Sequence, residues 1–101
     1  MKTNAFVPEL QNGGKPPFRV FVVDDHAIFA QVFSELLNQS GDFVVVGSAG
    51  DGQTALAMLR ELKVDVLLLD LMLPGISGLE VLGQLRQERS AVRTVVYSGM
   101  A

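Results

Sequence analysis

The chain has no cysteine, which excludes disulfides, thiolate metal sites and cysteine nucleophiles and is compatible with a reducing compartment. It has no run of lysine or arginine. Eight scattered basic residues stand against eleven acidic ones, for a net charge of −3, so no electrostatic footprint for nucleic acid forms and this chain itself is expected to bind none. It has no apolar stretch of membrane-spanning length, because each hydrophobic run is broken by Asp, Gly or Pro, and its opening MKTNAFVPELQNGG lacks the apolar core of a secretory signal. A soluble, cytoplasmic chain that meets no membrane is the resulting expectation. Internal repeats and low-complexity tracts are absent too.

What is present is a globular composition. The 101 residues leave room for one domain, and 49% hydrophobic with 19% charged residues describe a folded chain with a small core. Residues 1–17 mix Asn, Gln, Gly-Gly and Pro-Pro around Phe6, Val7 and Leu10 and read as a flexible leader; residues 18–101 are the folded part.

From Phe18 the pattern turns regular. Phe18, Val20, Phe21, Val22 and Val23 make a β-rich run that stops at Asp24-Asp25. After His26, the residues Ile28, Phe29, Val32, Phe33, Leu36 and Leu37 recur at helical spacing, and Gly41 is placed as the helix stop. Phe43–Val46 is a second strand, followed by a loop Gly47–Gly52 and a helix capped by Asp51 that carries Ala55, Leu56, Leu59 and Leu62. Asp65–Leu69 is the third strand. Ser77 and Glu80 have capping-box spacing, Leu79, Leu82 and Leu85 are expected to form the inner face of the third helix, and Val92–Tyr97 ends the series as a fourth strand. The alternation β-α-β-α-β-α-β with short loops predicts an α/β fold: a parallel sheet between helices.

One residue breaks the apolar logic. Val66–Leu69 is the continuous run of a strand covered on both faces, and it drives straight into Asp70 before Leu71, Met72 and Leu73 continue it to Pro74-Gly75. An uncompensated carboxylate there costs several kcal/mol or takes up a proton. Asp70 alone could cap a turn, but Pro74-Gly75 already supplies the turn and Ser77 the next cap. In a parallel sheet the strand carboxyl ends form the ligand crevice. Asp24 and Asp25 follow strand one, Asp70 strand three and Ser98 strand four, so these groups converge if the three strands are neighbours. Facing carboxylates call for a cation, and hard oxygens suit Mg²⁺. Asp70, deepest in its apolar run, is the natural covalent acceptor for a phosphoryl group.

VFVVDDHAIF, SAGDGQTAL, VLLLDLMLPGISGLEVL and VVYSG together resemble the receiver domain of two-component response regulators, and DDH resembles the group whose outputs are helix-turn-helix DNA-binding domains used in transcription regulation. The resemblance covers Phe18–Ala101. It implies a flavodoxin-like, doubly wound parallel sheet, with Asp70 as phosphoacceptor and Asp25 as a direct Mg²⁺ ligand. It further implies Asp24 acting through water, the Met72 backbone carbonyl as another metal ligand, Ser98 as the switch hydroxyl and the Gly99 N–H beside the phosphoryl oxygens. The implied phosphoryl donor is a sensor histidine kinase, and the implied role is signalling rather than catalysis, beyond assisting its own phosphorylation and dephosphorylation.

The receiver pattern continues through a further helix, a fifth strand with a lysine and an aromatic switch residue, and a last helix. Residues matching these are not among the 101, and Lys63 is read as closing the second helix, at the opposite end of the sheet from the acids. A receiver incomplete after its fourth strand, with impaired switching, is therefore expected. Its fourth strand would be a bare edge carrying Val95 and Val96, which predicts a homo-oligomer formed by edge pairing or by exchange of elements. A phosphorylation-independent interaction module on the same scaffold is the alternative function. A haloacid dehalogenase type of hydrolase is disfavoured because it wants a second Asp where Met72 stands. The glycines of the GSAGDG loop do not fall in phosphate-cradle order, and His26 reads as a residue of the first helical turn, lacking a second His or Cys at ligand spacing.

Overall fold

The computed structural model describes residues 14–98, so residues 1–13 of the leader expected over 1–17, and the position of Gly99, lie outside the described residues. The elements are β1 (Phe18–Val23), α1 (Ala27–Ser40), β2 (Phe43–Ala49), α2 (Gly52–Glu61), β3 (Val66–Asp70), α3 (Gly78–Gln87) and β4 (Arg93–Tyr97). All strand pairs are parallel, in the order β2-β1-β3-β4. The fold is the flavodoxin-like one, with four strands and three helices among the described residues. Parallel pairing brings every strand's carboxyl end to one rim, and the register places Val23 beside Leu69 and Asp70 beside Tyr97. No helix among the described residues is long and apolar enough to cross a membrane.

The helix boundaries follow local chemistry. Gly41 closes α1 at φ 80°, a conformation glycine adopts without strain. Asp51 caps α2 by accepting from the Thr54 N–H at 2.8 Å. Ser77 and Glu80 cap α3 reciprocally, at 3.1 and 3.0 Å.

Three expectations need correction. The second strand does not stop at Val46, and the loop does not begin at Gly47: β2 continues to Ala49, because Gly47, Ser48 and Ala49 pair with Phe21, Val22 and Val23. Gly47 fits there for lack of a side chain, since a Cβ would stand 2.9 Å from the Phe21 ring. The third strand runs one residue later, over Val66–Asp70, and so includes the acid itself. Leu79 is not on the inner face of α3 but 66% exposed; Gly78, Val81 and Leu85 are buried, with Leu82 partly so.

The sheet divides two apolar layers. On one face Phe21, Val23, Leu67 and Leu69 pack with Ala55 and Leu56 of α2 and Val81 and Leu85 of α3. Full burial of each large side chain contributes about 1.5–3 kcal/mol. On the other face Val20 and Val22 meet Ala30, Phe33 and Leu37 of α1, which is the only described helix on that side. The β3 run is consequently sealed on one face and only partly covered on the other, where Val66 and Leu68 lie.

Candidate acidic site

The sheet order makes β1 and β3 central neighbours, so their terminal acids meet. Asp24 and Asp70 are buried, at 2% and 0% exposure, while Asp25 and His26 occupy the exposed turn into α1. One ligand atom from each of Asp24, Asp25, His26 and Asp70 lies within 4.8 Å of the others. Ionised carboxylates this close repel one another, and an oxygen-rich donor set of this kind fits a hard divalent cation such as Mg²⁺.

Asp24 is held at both oxygens. Its Oδ1 accepts from the His26 backbone N–H at 2.7 Å and faces His26 Nδ1 at 3.0 Å; its Oδ2 accepts from the Tyr97 hydroxyl at 2.6 Å. Burial raises the carboxyl's proton affinity, but the hydrogen bonds from Tyr97 and His26 outweigh it and hold the group below the usual carboxylate range. Burial first, then the bond to Asp24, pushes the Tyr97 phenol far above its ordinary value. The phenol therefore remains a donor. Met72 donates its N–H to Asp70 Oδ1 at 2.9 Å, and the Leu71 N–H donates to the Tyr97 carbonyl at 2.8 Å, stitching the ends of β3 and β4 together.

His26 stands 3.0 Å from Asp24 and 3.1 Å from Asp25. Its hydrogen bond to Asp24, followed by the Asp25 charge, raises its value above the ordinary 6.5. The fold thus favours the protonated ring. That contribution to stability is present in full below pH 6.5 and is lost as the pH rises through the raised value. Without divalent cation, the gap between the urea midpoints of the native chain and His26→Gln should be widest on the acid side and shrink on the alkaline side. A gap independent of pH would contradict this.

The residues singled out by sequence fall as follows. Asp24, Asp25 and Asp70 come together, Met72 adjoins them through its backbone N–H, and Ser98 directly follows β4 at the same rim. Lys63 sits at the other end, its carbonyl accepting from Arg19 Nε near the start of β1. Two residues of the site differ from their sequence reading: Tyr97, read only as a strand residue, donates to Asp24, and His26, read as part of the first helical turn, lies among the acids. The Tyr97–Asp24 pair is separated by 73 residues, and only strand order joins it; the available signal was a polar-tipped aromatic at a strand end next to Ser98.

Comparison with known proteins bears on this geometry. The family model described as "Response regulator receiver domain" matches residues 20–101. A protein-glutamate methylesterase/protein-glutamine glutaminase 5 of Myxococcus xanthus is 46% identical over 82 residues, 81% of this chain and 24% of that protein. The nitrate/nitrite response regulator protein NarL of Escherichia coli is 35% identical over 82 residues, 81% of this chain and 38% of its own length. The chain thus spans only 24% and 38% of the length of these two relatives. Among solved structures, the signal receiver domain of a Mycobacterium tuberculosis protein described as the response regulator NarL superposes with a TM-score of 0.78 at 35% identity, covering 84% of this chain and 68% of that one.

Proposed function

Because the chain belongs to the response regulator receiver domain family, we propose that it accepts a phosphoryl group from the phosphohistidine of a sensor kinase onto Asp70, with Mg²⁺ held at the acidic site. The observation that carries this reading is Asp70 itself, fully buried at the end of β3 with ligand atoms of Asp24, Asp25 and His26 within 4.8 Å. Asp25 and Asp70 would hold the ion directly, with the Met72 backbone carbonyl, and Asp24 through water. When bound, Mg²⁺ supplies positive charge against the oxygens of the transferring phosphoryl group.

The chain's own residues do the rest. An Asp70 carboxylate oxygen forms the bond to phosphorus while the P–N bond to the donor imidazole breaks, and the electron pair leaves with that nitrogen. The Met72 N–H fixes the orientation of the Asp70 carboxylate. Ser98 and Gly99 would supply the hydroxyl and backbone N–H that meet the phosphoryl oxygens. The role is that of a signalling phosphoacceptor, with transcription regulation as the proposed end use.

With Mg²⁺ and acetyl phosphate, intact mass spectrometry is expected to show one phosphoryl adduct that hydroxylamine removes and that Asp70→Asn abolishes. An adduct that persists in Asp70→Asn, or no adduct on the native chain, would sink this reading.

A second reading, an interaction module that works without phosphorylation, is favoured by exposed apolar surface: Val95 and Val96 on β4, and Phe29, Val32 and Leu36 on α1. Light scattering separates the two. A dimer indifferent to Mg²⁺ and beryllofluoride supports the module; a change in mass that vanishes in Asp70→Asn supports the phosphoacceptor.

A further inference from the structure

We propose that Tyr97 is a positioning residue for the cation site, acting through Asp24 and linking that carboxylate to the strand end that carries Ser98. This deepens, and rests on, the reading of the acidic site as one that takes a divalent cation.

Asp24 is buried and its two oxygens face opposite partners: His26 at Oδ1 and Tyr97 at Oδ2. A carboxylate that serves a cation through water must present its oxygens in a fixed direction, and hydrogen bonds from outer-shell residues provide that orientation. His26 holds only Oδ1, through its backbone N–H at 2.7 Å and a half-exposed ring that lies almost equally near Asp25, at 3.1 Å, so the direction of Oδ2 is left to Tyr97. Tyr97 is far better braced. Its ring meets Phe33 of α1 edge to face, with centroids 5.9 Å apart and planes at 75°. Its carbonyl is held by the Leu71 N–H at the end of β3, and its backbone lies in register with Asp70. Two neighbouring elements, α1 and β3, therefore brace Tyr97, and its phenol holds Asp24 Oδ2.

Removing the hydroxyl leaves Asp24 held at Oδ1 alone, so Oδ2 loses its fixed direction and the cation loses an oriented partner although no proposed ligand has been changed. Tyr97 also shares a peptide bond with Ser98. Any shift of the β4 end that carries the Ser98 hydroxyl must carry the Asp24 latch with it. Asp24 and Ser98 are thereby coupled mechanically, across a sequence separation that no local motif spans.

The chain supplies its own reporter: Tyr97 is its one tyrosine and it has no tryptophan, so tyrosine emission reads this phenol alone. Mg²⁺ is expected to change that emission in the native chain. Mn²⁺ binding, followed by electron paramagnetic resonance, should weaken about tenfold in Tyr97→Phe, in the range seen when outer-shell partners are removed. In an Asp24→Asn background the same Tyr97→Phe change should have no further effect, which a purely structural role would not produce. Equal Mn²⁺ affinity in the native chain and Tyr97→Phe, with unchanged emission on adding Mg²⁺, overturns the positioning role while leaving the cation site intact. An equal loss in both backgrounds also overturns it. Failure of the native chain to bind Mn²⁺ at all overturns the cation reading, and this inference with it.

Discussion

Gly78→Ala is expected to destabilise the chain by about 3 kcal/mol, the upper part of the usual range for overpacking, and to weaken cation binding with it. Gly78 is the buried first residue of α3, and an added Cβ would stand 2.6 Å from the Asp70 carbonyl oxygen and 2.7 Å from the Leu71 Cα. Both neighbours are backbone, and neither can swing aside as a side-chain tip would. Relief requires α3 to lift away from β3 or the Asp70–Leu71 peptide to shift, and the second route displaces the acceptor itself. The control lies in the same helix: Gly83 has nothing within 4 Å of its Cβ position. There alanine should stabilise by about 0.5–1 kcal/mol through helix propensity. Urea denaturation of the two variants should give shifts of opposite sign. Two shifts of the same sign would show that the packing of α3 onto β3 is looser than these distances state.

Phe21→Ala should cost about 3–5 kcal/mol, enough to threaten a domain whose total stability is expected at roughly 5–15 kcal/mol. Phe21 is 0% exposed, in the middle of β1, and belongs to the layer shared with Leu67, Leu69 and α2. Its ring also fills the place that the missing side chain of Gly47 leaves open. Truncation would therefore empty the sheet on the side where β1 and β2 shift register, between Val20 and Phe21. Because Asp24 follows three residues later, loosened β1 pairing would reach the acidic site as well. Phe21→Leu, which keeps most of the volume, should recover much of the stability. A calorimetric midpoint for Phe21→Ala close to that of the native chain would mean that the neighbouring layer collapses into the space.

Much of this architecture was legible residue by residue. The β/α alternation follows from short continuous apolar runs alternating with apolar steps of three and four residues, and the caps at Asp51, Ser77 with Glu80, and Gly41 were readable because each partner is at most a few residues away. Asp70 announced itself as a carboxylate at the end of an apolar run. Legibility failed where the deciding neighbour was remote. Gly47–Ala49 has little strand character of its own, yet it is strand because Phe21–Val23 lies alongside. Leu79 fits the helical spacing of Leu82 but faces solvent, because the position of β3 beneath α3 selects Gly78, Val81 and Leu85 instead.

The kind of sheet, the order of acids along the chain and the chemistry they can offer all follow from the residues as written, since propensity, capping and charge are local properties. It is the assembled fold that sets β1 beside β3, clasps Asp24 with a tyrosine 73 residues away and turns His26 toward the acids. Those facts depend on strand order and register, which arise from the burial of whole faces against one another, a property of the assembled layers that no short stretch of chain encodes.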